Sequence, residues 1–359
     1  MIFGAFARKN LNLLALLAAF VIGLVAMPNL VSAQEAAAAA TTTEAPAADA
    51  AAPAGDEAAA AAAPAFEHFG PDMIVGQPTP GGLGFQDQHT ANGEYALWMH
   101  DAILMPIITV ISLFVLALLL WVIVRYNRRA NPVASKTSHN TLIEIIWTVI
   151  PVLILVVIAV PSITLLARQY EPAPEDAITI KANGYQWYWG YEYVDNGGFE
   201  VISNMLDADE ALAAGEPHQL AVDNRMVVPV GVPIRIQTFG KDVIHSFGIP
   251  SLWFKLDAVP GRINERVLTI EQPGIYYGQC MELCGLAHGY MPIAIEARTM
   301  EDFNAWVQTQ PGGRTREQIA AEAAAAAQDA QSAADAAAAA DVPAEEEADQ
   351  AEAAADPAA

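Results

Sequence analysis

Gln279-Cys280-Met281-Glu282-Leu283-Cys284-Gly285-Leu286-Ala287-His288-Gly289-Tyr290-Met291 is the stretch around which the rest of the chain is organised. It contains both cysteines of the protein, four residues apart, followed by a histidine and a methionine. Thiolate, imidazole and thioether are the ligand types that suit copper. Glycines at 278, 285 and 289 disfavour one continuous helix, so the stretch reads as a loop folding back between two strands. A blue-copper site needs one thiolate, two imidazoles and a weak methionine. Two thiolates can instead bridge two metal ions. The second imidazole must then come from elsewhere, and His245 in Asp242-Val243-Ile244-His245-Ser246 is the best candidate. Two cysteines in an exported chain more often form a disulfide, and zinc is the other bland reading, but zinc sites rarely recruit methionine. The full spacing favours copper.

The pattern C-x-E-x-C-x3-H-x2-M with its upstream D-V-x-H-S resembles subunit II of the cytochrome c oxidases. Gln186-Trp187-Tyr188-Trp189-Gly190-Tyr191-Glu192-Tyr193 and the run Asp242 to Arg262 match as well, so the resemblance extends from Tyr95 to Trp306. It implies an α+β membrane protein: a two-helix transmembrane hairpin followed by an exported cupredoxin-like Greek-key β-barrel. It also implies a dinuclear copper centre, CuA. Carried over residue by residue, Cys280 and Cys284 bridge the coppers, His245 and His288 are terminal ligands, and Met291 with the backbone carbonyl of Glu282 completes the set. The Glu282 carboxylate is implied to face a magnesium ion shared with subunit I, and a hard divalent cation suits carboxylate oxygen. Nitrous oxide reductases share the copper motif but carry tryptophan at that position.

The formal net charge is -24. Residues 34–65 carry five acids and no base, and residues 317–359 carry eleven acids and no base, so two thirds of the excess sits in the tails. A nucleic-acid-binding surface is disfavoured. The remaining acidity is compatible with a basic partner. No Cys-x-x-Cys-His run is present, so the chain is expected to attach no c-type haem.

In chain order, Arg8-Lys9, an apolar run and Val31-Ser32-Ala33 give a signal-peptide layout over residues 1–33. Residues 34–66 form an alanine-rich acidic spacer, and 67–98 an irregular exported segment rich in Gly and Pro. The transmembrane hairpin is placed at 99–168, with spans at 103–124 and 142–166. The first span has no charge and is about 33 Å long as a helix, against a hydrocarbon core of about 30 Å. Arg125, Arg128, Arg129 and Lys136 lie between the spans and should face the cytoplasm. That orientation exports the β-rich domain at 175–311, whose short strands are broken by turn residues. Residues 312–359 read as an alanine-rich acidic disordered tail with transient helix.

Several side chains carry both a bland and a functional reading. Glu144 lies near the cytoplasmic end of the second span, where a carboxylate can simply snorkel. The resemblance puts it at the entrance of a proton-conducting channel into subunit I. Trp187, Trp189, Tyr191 and Tyr193 alternate and are expected to share one strand face in the barrel core, while the resemblance assigns electron entry to Trp187. Glu192, Asp195, Glu200 and Asp242 are ordinary solvated acids or a docking patch for cytochrome c. His68, His89, His100, His139 and His218 form no cluster and are assigned no role. The resemblance thus implies the electron-entry subunit of a proton-pumping, aa3-like cytochrome c oxidase. It would sit in a bacterial inner membrane with the barrel on the periplasmic side. A membrane-tethered copper carrier is the alternative, and a quinol oxidase subunit would lack the copper ligands.

Overall fold

The structure, a computed structural model, describes residues 66–340. The expected signal peptide, all but the last residue of the 34–66 spacer, and residues 341–359 lie outside them.

Two helices among the described residues are long and apolar enough to cross a membrane: α1 (Ala91–Arg125) and α2 (Thr141–Gln169). Helix α1 starts at Ala91, earlier than the hairpin boundary expected at 99. Thr90 caps it, its hydroxyl accepting the Gly93 N–H at 3.1 Å. The helix widens into π-type turns over Met99–Leu104, immediately before Pro106. Proline lacks an N–H and crowds the carbonyl four residues back, and a local widening accommodates it. Asn140 caps α2 by accepting the Ile143 N–H, and the Glu144 carboxylate returns the bond by accepting the Asn140 N–H at 3.0 Å. This reciprocal cap gives Glu144 a structural task that the sequence reading did not include. Met99 Sδ meets Ser162 Oγ at 4.0 Å, and the Arg168 guanidinium lies over the Tyr95 ring, so the helices run antiparallel. Most of their apolar side chains are exposed within this chain, as expected of surfaces that face lipid or a partner.

The remainder is two β-sheets packed face to face, the cupredoxin-like barrel that the resemblance implies. One sheet runs in the order β4 (Glu200–Ser203), β3 (Tyr188–Tyr193), β2 (Ile178–Tyr185), β6 (Ile234–Gly240) and β9 (Asn264–Leu268). The other runs β5 (Met226–Pro229), β11 (Pro292–Arg298), β10 (Gly274–Cys280), β7 (His245–Ile249) and β8 (Phe254–Ala258), with β1 (Ile74–Gly76) beside β10. Pairings β2–β6 and β11–β5 are parallel and connect distant parts of the chain, as in a Greek key. Alternation along β6 buries Ile234, Ile236 and Thr238 and turns Arg235, Gln237 and Phe239 outward. Trp189, Tyr191, Tyr193, Phe247 and Ile295 fill the space between the sheets.

Strand β11 is buried at all seven positions because its outer face is covered too. Residues 66–76, ahead of the first span, cross that face. Phe69 and Ile74 join Ile275, Tyr277 and Ala294 in a second small core. Glu296 lies beneath them. Its carboxylate accepts from the Phe69 N–H at 3.0 Å, meets His68 Nδ1 at 2.9 Å, and pairs with Arg225 and Arg298. Arg225 also pairs with Glu216 at 2.6 Å, and Arg298 lies against the rings of Phe66 and Phe69. Each buried charge is therefore partnered, as burial demands. His68, without a role in the sequence reading, belongs to this cluster.

Helix α3 (Ala208–Ala213) lies in the β4–β5 connection, and α4 (Met300–Thr309) buries Phe303, Trp306 and Val307 against the barrel. Within the segment expected as a disordered tail with transient helix, Arg316–Ala340 are helical, as α5. Alanine is the strongest helix former, and the first turn is nucleated. Thr315 Oγ1 accepts the Gln318 N–H while Gln318 Oε1 accepts the Thr315 N–H, a reciprocal cap. Bonds from Arg314 to Asn196 and from Arg316 to the Asp176 carbonyl tie that turn to the barrel.

Burial alone would raise the Glu296 carboxyl, but bonds from His68, Phe69 and Arg298 outweigh it and hold the group at about 2. Its folded value lies below its unfolded one, so the stabilisation is complete above the ordinary carboxylate range and is lost as pH falls towards 2. Glu296→Gln should cost about 3–5 kcal/mol at neutral pH, the scale for breaking a buried ion pair. The gap to the parent should narrow as pH falls below 4.5, the ordinary value for glutamate. Urea unfolding of the detergent-solubilised chain at pH 7 and pH 4 measures both; an equal gap at the two values would contradict the assignment.

Candidate metal centre

Strand β10 ends at Cys280 and β11 begins at Pro292, so residues 281–291 form the loop that carries the remaining candidate ligands. β10 pairs with β7 through Cys280 opposite Phe247, and the Met281 N–H donates to the Ser246 carbonyl at 2.9 Å. That register places His245, the first residue of β7, beside Cys280. The imidazole is fully buried and rests on the backbone of Gly184 in β2. A Cβ at residue 184 would come within 2.8–3.0 Å of two ring carbons and the Cβ of His245, so only glycine leaves room for the side chain. Asp242 Oδ1 lies 2.8 Å from His245 Nε2 and also accepts the Val243 N–H; Oδ2 accepts the Gln186 N–H at 2.7 Å. With Nε2 donating to Asp242, Nδ1 is the nitrogen left to bind a metal. It lies 3.9 Å from Cys280 Sγ.

The loop is held from the β2–β3 turn. Gln186 Nε2 and Trp187 Nε1 both donate to the Cys284 carbonyl, at 2.8 and 3.3 Å. Gly285 then takes φ +122°, and one tight turn over His288–Tyr290 follows. Trp189 Nε1 donates to the Met291 carbonyl at 3.2 Å from inside the barrel. The β2–β3 register pairs Tyr185 with Tyr188 and leaves Gln186 and Trp187 as the two turn residues. Trp187 is therefore half-buried at the loop and off the strand face that buries Trp189, Tyr191 and Tyr193, where alternation had placed it.

The soft donors fall into two groups joined by the thiols. Cys280 Sγ has His245 Nδ1 at 3.9 Å and the Glu282 carbonyl at 3.4 Å. Cys284 Sγ has His288 Nδ1 at 3.6 Å and Met291 Sδ at 3.5 Å. The sulfurs are 3.9 Å apart, well beyond the bonded distance of about 2.05 Å, and both thiols are free and buried. Burial pushes Cys280 up, but hydrogen bonding to His245 and to the backbone at Glu282 brings it down to about 7. Burial and the Cys280 charge push Cys284 up. His245 is raised despite its burial, because Cys280 and Asp242 both favour the charged ring. Two thiolates, two imidazoles, a thioether and a carbonyl in a largely dry pocket are a donor set for copper. They fit the dinuclear group that the sequence resemblance implies.

Of the other sequence candidates, Asp242 and Trp187 touch this site, and the remaining carboxylates lie apart from the donors. Glu282 is exposed at the head of the loop. Glu192 pairs with Lys181 at 3.1 Å, Asp195 accepts the Thr179 N–H, and Glu200 accepts from Asn183 and Tyr185. Glu144 caps α2 in the membrane hairpin. The sequence reading missed Gln186 and Gly184. Gly184 does carry a sequence signal, since a glycine inside a strand marks a bulge or a close backbone approach.

The family model described as "Cytochrome C oxidase subunit II, periplasmic domain" matches residues 178–298, and "Cytochrome C oxidase subunit II, transmembrane domain" matches residues 78–165. A Rickettsia bellii protein named "Probable cytochrome c oxidase subunit 2" is 50% identical over 237 residues, covering 66% of this chain and 87% of that protein. The "Cytochrome c oxidase subunit 2" of Cereibacter sphaeroides is 39% identical over 256 residues, 67% of this chain and 84% of its own. Among solved structures, the periplasmic domain of cytochrome oxidase subunit II from Bradyrhizobium japonicum is 48% identical, with a TM-score of 0.36, and covers 38% of this chain and 96% of that one.

The His245 platform yields a test. Gly184→Ala should leave the barrel folded but lower copper affinity about ten- to a hundredfold, the usual effect of disturbing a group that orients a ligand. Competition with a copper chelator measures it. Unchanged affinity would mean that the ring is seated by something other than Gly184.

Proposed function

The chain belongs to the cytochrome c oxidase subunit II family, and from that premise we propose that it is the electron-entry subunit of a proton-pumping oxidase. Cytochrome c is the donor, haem in subunit I the next acceptor, and oxygen the final one. The observation that carries this reading is the division of the soft donors into two groups linked by a pair of free thiols 3.9 Å apart. A mononuclear blue-copper site needs only one thiolate and would leave the second buried thiol without a task.

In this reading Cys280, Cys284, His245, His288, Met291 and the Glu282 carbonyl would hold two coppers, with the two thiolates shared between them. Bound copper supplies one-electron redox chemistry, and the chain's own residues keep the ligands in place. Asp242 orients His245, while Gln186 and Trp187 fix the peptide of Cys284. The barrel core beneath excludes water, which limits reorganisation around the site. The exposed Glu282 carboxylate is assigned to a magnesium ion shared with subunit I. Trp187, half-buried and one hydrogen bond from the Cys284 peptide, is assigned to electron entry. Glu192, Asp195, Glu200 and Asp242 are assigned to docking of a basic cytochrome c. Asp242 also serves His245, so removing its charge would disturb the metal site together with docking. Glu144 is assigned to proton entry at the cytoplasmic end of α2, and the barrel is placed on the periplasmic side of the inner membrane. Family membership weighs against the copper-carrier alternative.

Metal analysis and electron-spin resonance of the copper-loaded full chain test the centre. Two coppers per chain with one unpaired spin shared between them are expected, and Cys280→Ser should abolish that signal. One copper with a localised signal would refute the dinuclear site. In the assembled oxidase, Trp187→Leu should slow copper reduction by cytochrome c with little change in salt dependence. Glu144→Gln should leave that step intact and slow turnover. Stopped-flow reduction and steady-state turnover separate the two; normal rates for either variant would remove its assignment.

A further inference from the structure

Residues 77–86, Gln-Pro-Thr-Pro-Gly-Gly-Leu-Gly-Phe-Gln, form a loop without a single charge between β1 and α1. Its tip is uncovered. Leu83 is 104% exposed and Phe85 52%, and a Cβ built at Gly81 or Gly84 would meet nothing within 4 Å. Single exposed apolar residues are ordinary on a soluble surface, so position has to decide their meaning. Phe85 fixes that position. Its ring packs edge-on against His100 of α1 at 4.7 Å and against Trp253 at 5.2 Å.

His100 stands three residues outward of Ile103, where the charge-free part of the span begins, which is about 4.5 Å along the helix. The headgroup layer extends about 5–7 Å beyond the hydrocarbon on each side. Phe85 therefore sits at headgroup level, close to the half-exposed Trp98. Aromatic and aliphatic side chains at that depth are the usual interfacial anchors.

We propose that the 77–86 loop is a third membrane contact, in which Leu83 and Phe85 enter the headgroup layer of the outer phospholipid leaflet beside α1. The loop follows β1, which pairs with β10, so the contact would brace the barrel against the bilayer as well as the hairpin. It does not depend on the copper assignment.

The test uses the full chain in nanodiscs of phosphatidylcholine and phosphatidylglycerol. A nitroxide is placed at Leu83 through a ketone-bearing unnatural amino acid, which leaves Cys280 and Cys284 untouched, and at exposed Glu301 of α4 as a control. Power saturation compares collision with oxygen, which partitions into lipid, and with a water-soluble nickel chelate. The oxygen-to-nickel ratio at 83 should be several times that at 301, because oxygen partitions into the apolar boundary that an interfacial side chain reaches. Equal ratios would overturn the proposal. So would a label at 83 shielded from both collision partners in the assembled oxidase, because a partner subunit would then occupy the place assigned to lipid.

Discussion

Two soft thiols and an imidazole 35 residues away must be held at one point without the thiols closing on each other. The pairing of β10 with β7 meets this constraint. It sets Cys280 opposite Phe247 and donates the Met281 N–H to Ser246, which leaves His245 facing Cys280. A slip of one residue would send the Cys280 side chain to the opposite face of the sheet. The 3.9 Å between sulfurs follows from the same arrangement, since Cys280 belongs to the strand whereas Cys284 belongs to a loop pinned elsewhere.

That pinning accounts for much of the aromatic chemistry around the site. Trp187, Gln186 and Trp189 all come from the β2–β3 hairpin and all donate to carbonyls of the 281–291 loop. The hairpin belongs to the opposite sheet, so these bonds cross the barrel end and lock the two sheets together where ligands must not move. Asp242 works likewise, accepting from the backbone of the β2–β3 turn and meeting the ring of His245. A carboxylate with three partners is held ionised, its pKa lowered by those bonds against the effect of burial. The polar groups surrounding the thiols are thus mostly satisfied within the chain.

Much of this was legible in the sequence because the signals are local. The spacing of Cys280, Cys284, His288 and Met291, the two apolar runs and the turn-broken strands each lie within a short window. What escaped depends on register or on contacts between distant segments. Strict alternation put Trp187 on a buried face, but the two-residue turn between Tyr185 and Tyr188 removes it from the strand. Glu144 was weighed as a snorkelling or channel carboxylate, and its bond to Asn140 adds a third possibility, the cap. For α5, an alanine-rich acidic composition leaves disorder and transient helix both open, and what composition does not show is the start: one Thr315–Gln318 cap and bonds to Asn196 and Asp176.

The Glu296 cluster shows how far such distant contacts reach. No window of sequence reveals that Phe66–Phe69, ahead of the membrane hairpin, will satisfy a carboxylate buried in the last strand of the barrel. The chain crosses the membrane twice between these partners. The barrel can therefore reach its full complement of bonds only after both helices are inserted and the segments on either side have reached the same compartment. The junction reinforces this coupling: Thr90, which caps α1, donates to the Leu252 carbonyl, and Arg266 of β9 donates to the Gln169 carbonyl at the end of α2. The hairpin and the barrel thus share bonds at both ends of the membrane segment, with the metal-bearing strand β10 lying between β11, which carries Glu296, and the strand β1 that the N-terminal segment supplies.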